Sequence, residues 1–108
     1  MKTFGQVTGA ARKVAILSQK AVAERVRRGD GRKVLPPYLN DLKHDRRYPP
    51  EDAVIDQLAK ILNFSRDGLC FYAKRVPPDV GRGATDSEVE AAYKALRRTI
   101  DQAVDERC

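Results

Sequence analysis

A chain of 108 residues, 42% of them hydrophobic, can bury one compact core plus an appendage but not two full domains. Its formal charge of +6 is uneven: residues 1–80 carry 16 Lys and Arg against 9 Asp and Glu, and residues 81–108 carry 5 against 6, so the two parts are expected to do different jobs. No run of about 18 apolar residues exists to span a bilayer, and "MKTFGQVTGAARKVAIL" breaks its apolar residues too often for a signal peptide, which predicts a cytoplasmic protein.

The apolar positions follow helical spacing, with no internal repeat, and predict an all-α chain. Phe4, Val7, Ala11 and Val14 lie at i, i+3, i+7 and i+10, one face of a helix from about Thr3 to Val14. Ser18 is placed to cap a second helix, "QKAVAERVRR", with Val22, Ala23 and Val26 as its inward stripe. "GDG" stops it, since two glycines around an aspartate favour turns.

A third helix opens at Pro36 and Pro37, where a missing N–H has no intrahelical partner to lose, and points Leu39 and Leu42 inward. "HDRRYPPED" reads as a loop, with its own Pro-Pro opening a fourth helix whose first turn carries Glu51 and Asp52 near the positive dipole end. Val54, Ile55, Leu58, Ile61 and Leu62 form that helix's stripe, and Ser65 caps a fifth helix bearing Leu69, Cys70 and Tyr72.

"VPPDVGRGAT" can neither continue a helix nor pack a strand, so the compact domain is expected to end near Val80. Beyond it Val89, Tyr93, Leu96, Ile100 and Ala103 follow 4-3-4-3 spacing, a seam about two and a half heptads long. Such a seam either makes a homodimer through Val89, Tyr93, Leu96 and Ile100 or folds back on its own domain, because so short a helix is marginal alone.

Cys70 and Cys108, 38 residues apart, fit neither a disulfide framework nor a CxxC site: Cys70 reads as a buried small hydrophobe and Cys108 as a frayed end. A metal site or catalytic triad would have to be built on His44, the only histidine, which reads instead as a loop residue. "GRGAT" lacks the ending of a phosphate-binding P-loop, and Glu51, Asp52 and Asp56 are explained by helix-start electrostatics. No enzyme and no cofactor are expected.

"TFGQVTGAARKVAILSQKAVAERV" followed by "LPPYLNDLKHDRRYPPEDAVIDQLAKILNF" resembles the phage-repressor or Cro-like (xenobiotic-response-element) helix-turn-helix family over about residues 3 to 73. The matching elements are Leu17-Ser18-Gln19, Val22-Ala23, Tyr38-Leu39-Asn40-Asp41-Leu42 and "LAKILNF". The resemblance implies a five-helix repressor-like domain followed by a C-terminal helix, with the third helix in the major groove of double-stranded DNA. It also implies that Gln19 bonds a phosphate, and that Lys43, Arg46 and Arg47 flank the reading helix and clamp phosphates.

The chain departs from the family between Val26 and Leu35, where about six residues are added to a turn of about four. These residues are expected either to form a basic projection carrying Arg27, Arg28, Arg32 and Lys33 to the DNA backbone or to be a solvated loop.

A groove-reading helix needs one apolar face on its own core and polar side chains outward. Leu39 and Leu42 supply the first; Pro37, Tyr38 and Asp41 are the base-edge candidates, and Asn40 the backbone one. Tyr38 can donate a hydrogen bond or pack on a thymine methyl, whereas Asp41 must accept from cytosine or pair with Arg to be tolerated near phosphates. Two readings follow: a sequence-specific regulator, a dimeric repressor; or a protein-interaction module, an antitoxin or adaptor, that kept the fold and binds a toxin or other protein through its tail.

Overall fold

The computed structural model describes residues 1–107, and the expectation of a frayed Cys108 falls outside the described residues. The chain is all-α, with α1 (Phe4–Val14), α2 (Gln19–Arg25), α3 (Pro36–Lys43), α4 (Asp52–Ile61), α5 (Arg66–Tyr72) and α6 (Asp86–Arg107). It divides into two compact units inside "VPPDVGRGAT": Met1–Pro78, which holds α1 to α5, and the part from Asp79 onward, which holds α6. Among the described residues no helix is long and apolar enough to cross a membrane.

The helix starts have local causes. Thr3 Oγ1 accepts from the Gln6 N–H at 3.1 Å while Gln6 Oε1 accepts from the Thr3 N–H at 3.0 Å, a reciprocal cap on α1. Ser18 and Ser65 accept from Ala21 and Gly68 at 3.0 and 3.1 Å to open α2 and α5. Pro36 and Pro37 take the first two positions of α3. The second Pro-Pro pair is placed differently from expectation: Pro49 and Pro50 precede Glu51, the N-cap of α4, and so lie outside its first turn. The Arg75 guanidinium holds them there, donating to both proline carbonyls. At the head of α6, Thr85 and Glu88 form a second reciprocal pair at 3.0 and 3.2 Å. The hydrogen bonds from Thr85 hold the Glu88 carboxyl below its ordinary range. That contribution is present above the unfolded carboxylate's pKa and is lost as pH falls through the folded one.

The helix ends repeat one device. Ile16, Asp45, Asn63 and Lys74 follow α1, α3, α4 and α5 with φ of 57, 56, 52 and 59°. The next N–H in each case turns back to a carbonyl five residues earlier: Leu17 to Arg12 at 3.1 Å, and Arg46 to Asp41, Phe64 to Ala59 and Arg75 to Cys70 at 2.9 Å. These are Schellman ends built without glycine. Leu17 and Phe64 then pack against the core, Arg46 is delivered to Asp41 of α3, and Arg75 to the proline loop ahead of α4.

In the first unit one core joins Phe4 and Val7, Val22, Ala23 and Val26, Leu39 and Leu42, the α4 stripe, and Leu69 with Cys70. Burial pushes the Cys70 thiol up, which keeps it protonated and inert. Two expectations are corrected in degree. Ile61 is only partly buried, and Val14 is 84% exposed because α1 buries only its first half, Phe4, Gly5 and Val7. Spacing defines a face, but neighbouring helices decide how far along it burial extends.

The approach of α1 to α3 depends on Gly5. A Cβ there would collide with the carbonyl oxygens of Leu42 and Lys43, both backbone atoms that cannot step aside. Gly9, on the same helix, has only the Lys43 side chain within reach, at an ordinary 3.7 Å. The two positions therefore predict opposite signs in urea denaturation. Gly9→Ala should stabilise by about 1 kcal/mol through helix propensity, and Gly5→Ala should destabilise by about 1 to 3 kcal/mol through overpacking.

In the second unit α6 has no buried residue. Val89, Tyr93, Leu96, Ile100 and Val104 are 39 to 48% exposed along it, so the apolar stripe ends on Val104 in addition to the Ala103 of the expected seam.

Candidate nucleic-acid interface

α3 is anchored by Leu39 and Leu42 in the core, which turns Pro37, Tyr38 and Asp41 toward the surface. Pro37 is exposed; Tyr38 is half-buried, its ring packed partly against the core. The guanidinium carbons of Arg28 and Arg47 each lie 5.1 Å from the Tyr38 ring centroid, cation–π distances. Burial raises the phenol's pKa above its ordinary value, outweighing the opposing pull of the two arginines, so the hydroxyl is a hydrogen-bond donor at neutral pH.

Asp41 faces its own arginines. Its carboxylate lies 3.6 Å from Arg46 and 3.5 Å from Arg47, while the two arginine side chains remain 62 and 53% exposed. Exposed pairs of this kind contribute only about 0.2 to 1 kcal/mol. They orient the arginines without locking them, and a phosphate can take either one over.

The turn that carries Arg46 and Arg47 is fixed from below. Asp45, in the left-handed region, accepts from the Thr3 hydroxyl at 2.7 Å and from the Gly5 N–H at 3.0 Å. A carboxylate thus sits on the positive end of α1, a favourable placement. His44 is the C-cap of α3, and among the described residues no three His, Cys, Asp or Glu side chains gather into a metal site.

The added residues between α2 and α3 form a docked hairpin. Val26 and Val34, 0 and 2% exposed, anchor its two ends in the core. Arg27 and Lys33 form an antiparallel bridge, and the Arg28 N–H donates to Arg32 O at 2.8 Å. The Gly31 N–H donates to Arg28 O at 2.8 Å, and Gly31 takes φ 84°, a three-residue loop that needs its glycine.

Three side chains hold the hairpin in place. Gln57 of α4 accepts the Arg27 N–H at 2.8 Å and donates to Arg27 O at 2.7 Å, the exchange a neighbouring strand would make. Glu51 accepts the Gly29 N–H at 2.5 Å, so its carboxylate serves the hairpin and makes no cap bond on α4. Asp30 accepts the Arg32 N–H at 3.0 Å and pairs with its side chain at 3.5 Å.

The expected basic projection is therefore corrected in part. The Arg27 guanidinium does not project: it folds back onto the carbonyls of Glu24 and Val26 at 2.9 and 3.0 Å, closing the end of α2. Arg32 is held by Asp30, and Lys33 is exposed. Of these four, Arg28 is the one that reaches α3, its guanidinium over the Tyr38 ring.

Arg28, Tyr38, Asp41, Arg46 and Arg47 thus form one cluster. Asn40 and Lys43, half-exposed, lie beside it on α3, whereas Gln19 lines a separate narrow crevice with Arg12 and Val22. The cluster borders an open groove of about 1260 Å³ whose wall adds Lys2, Tyr48, Tyr72 and Lys74, none of them anticipated. Tyr48 is 94% exposed beside Arg47, and its place in "RRYPP" was the available signal. Lys2 and Lys74 come from opposite ends of the first unit and left no local pattern. Comparison with protein-family models, curated proteins and solved structures finds no match for the chain.

Replacing Gln57 by Leu should free the hairpin base and leave the Arg27 N–H without its partner. The expected cost is about 1 to 3 kcal/mol in urea denaturation, with faster hydrogen exchange at Arg27. An unchanged denaturation midpoint would mean that the valines alone hold the hairpin.

Proposed function

We propose that this chain is a sequence-specific DNA-binding regulator, a dimeric repressor that reads the major groove with α3 in the cytoplasm. The observation that carries the reading is the cluster at α3: a helix fixed by Leu39 and Leu42, with Tyr38 outward and three exposed arginines arranged around it. Major-groove recognition needs that division between an anchored face, a polar face and a basic margin.

Pro37 and Tyr38 meet base edges, with the Tyr38 hydroxyl as donor. Arg28, Arg46 and Arg47 pass from Tyr38 and Asp41 to phosphates, and the carboxylate so released accepts from cytosine N4. Asn40, Lys43 and Lys33 add backbone contacts, with Gln19 at the start of α2. Dimerisation through Val89, Tyr93, Leu96 and Ile100 supplies the two-fold symmetry of an inverted-repeat operator.

Selection from a random duplex library should enrich an inverted repeat. Its affinity should fall roughly a thousandfold between 50 and 200 mM salt if about six phosphates are neutralised. Tyr38→Ala should remove about 1 to 3 kcal/mol of discrimination between sites, whereas Arg46→Ala should weaken all sites alike and reduce the salt slope by about one. Equal weakening of every site by both substitutions would remove α3 as the reader. Absence of binding at either salt would favour a protein partner for α6.

A further inference from the structure

We propose that α6 pairs with α6 of a second copy in the antiparallel direction; this rests on the dimeric reading above and goes beyond it in fixing orientation. The apolar stripe places Tyr93 and Ile100 at the a positions of a heptad and Val89, Leu96 and Ala103 at the d positions. Asp86 and Arg107 then also fall on a, Glu90, Arg97 and Val104 on e, and Thr85, Ala92, Thr99 and Glu106 on g.

A parallel, in-register pair would set each a residue against its own copy. Both terminal layers would then oppose like charges, Asp86 on Asp86 and Arg107 on Arg107, and Tyr93 would face Tyr93. The flanks would offer nothing in return: each g residue meets the following e residue of the second copy, which gives Thr85 with Glu90 and Ala92 with Arg97.

Reversing one helix pairs a with d. Tyr93 then packs on Leu96 of the second copy, Val89 on Ile100 and Asp86 on Ala103, so each large side chain meets one of different shape and no like charges are opposed. The e positions now face each other, and Glu90 meets Arg97 twice, once on either side of the two-fold axis. Within one helix Glu90 also lies 3.3 Å from Lys94, but that pair is about 70% exposed and competes weakly.

The orientation sets a distance. At 1.5 Å per residue the two Asp86 residues of the antiparallel pair stand roughly 26 Å apart along the axis, whereas a parallel pair holds them at about 8 to 10 Å. The chains therefore enter the seam at opposite ends, on the scale of half-sites about one helical turn apart.

Cysteine pairing distinguishes the two. In the full chain with Cys108→Ser, Val89→Cys and Ile100→Cys change exposed sites and leave the core untouched. Mixed and mildly oxidised, the two variants should form a disulfide-linked pair on a non-reducing gel. Each alone should form at least about tenfold less, since identical positions lie roughly 17 Å apart along the axis and a disulfide needs its Cβ atoms within about 4.5 Å. Cross-linking of Val89→Cys with itself would overturn the antiparallel order. A dimer by sedimentation that cross-links in no combination would overturn the seam, and a monomer at tens of micromolar would overturn the dimeric reading itself.

Discussion

Asp45 is the point on which the placement of α3 depends. Its left-handed backbone ends α3, and its carboxylate caps α1 through Thr3 and Gly5. Because Gly5 presents no Cβ, the α1 start can rest on the last carbonyls of α3, and the two helices become one rigid corner. Arg46 and Arg47 leave that corner in a direction set by the Schellman end, which is what lets them reach Asp41 and, in the case of Arg47, Tyr38. Three helix-end devices of modest individual strength thus determine where two exposed charges point.

The hairpin between α2 and α3 adds a third charge to the same place. Inserting residues into a connection usually costs little and does little. Here both ends of the insertion are buried valines, and the backbone next to the first is matched by the Gln57 amide as a strand would match it. The result is that Arg28 stands over Tyr38 with a defined address while Arg27, one residue earlier, is spent on closing α2. Alternation along an extended segment separates the two roles.

Much of the fold was legible in the chain. Phe4 and Val7, Leu39 and Leu42 and the α4 stripe apart from Ile61 are buried as their spacing predicts, and Ser18 and Ser65 cap the helices they precede. What was not legible has a common character. The exposure of Val14, the turn of Glu51 toward Gly29 and the Gln57 clamp each depend on a partner 20 to 40 residues away or on its absence, and periodicity within one element carries no such information. The cluster at α3 was legible in its members and illegible in its wiring. Tyr38, Asp41, Arg46 and Arg47 were singled out from α3 and its flank, but their mutual contacts follow from the left-handed Asp45, a conformation more common at glycine or asparagine than at aspartate.

The Gln57 clamp also ties the motions of the hairpin to those of α4. A short hairpin with two buried side chains has little stability of its own, and its hydrogen-bonding partner lies in the middle of a helix that buries Val54, Ile55, Leu58 and Ala59 in the core. Backbone opening at Arg27 therefore has to break both hydrogen bonds to the Gln57 amide and lift the neighbouring Val26 from the core, a costlier event than the fraying of an untethered loop. Arg28 consequently has a backbone that opens rarely beneath an exposed side chain that reorients in picoseconds to nanoseconds, a fixed base from which its guanidinium can exchange Tyr38 for another partner.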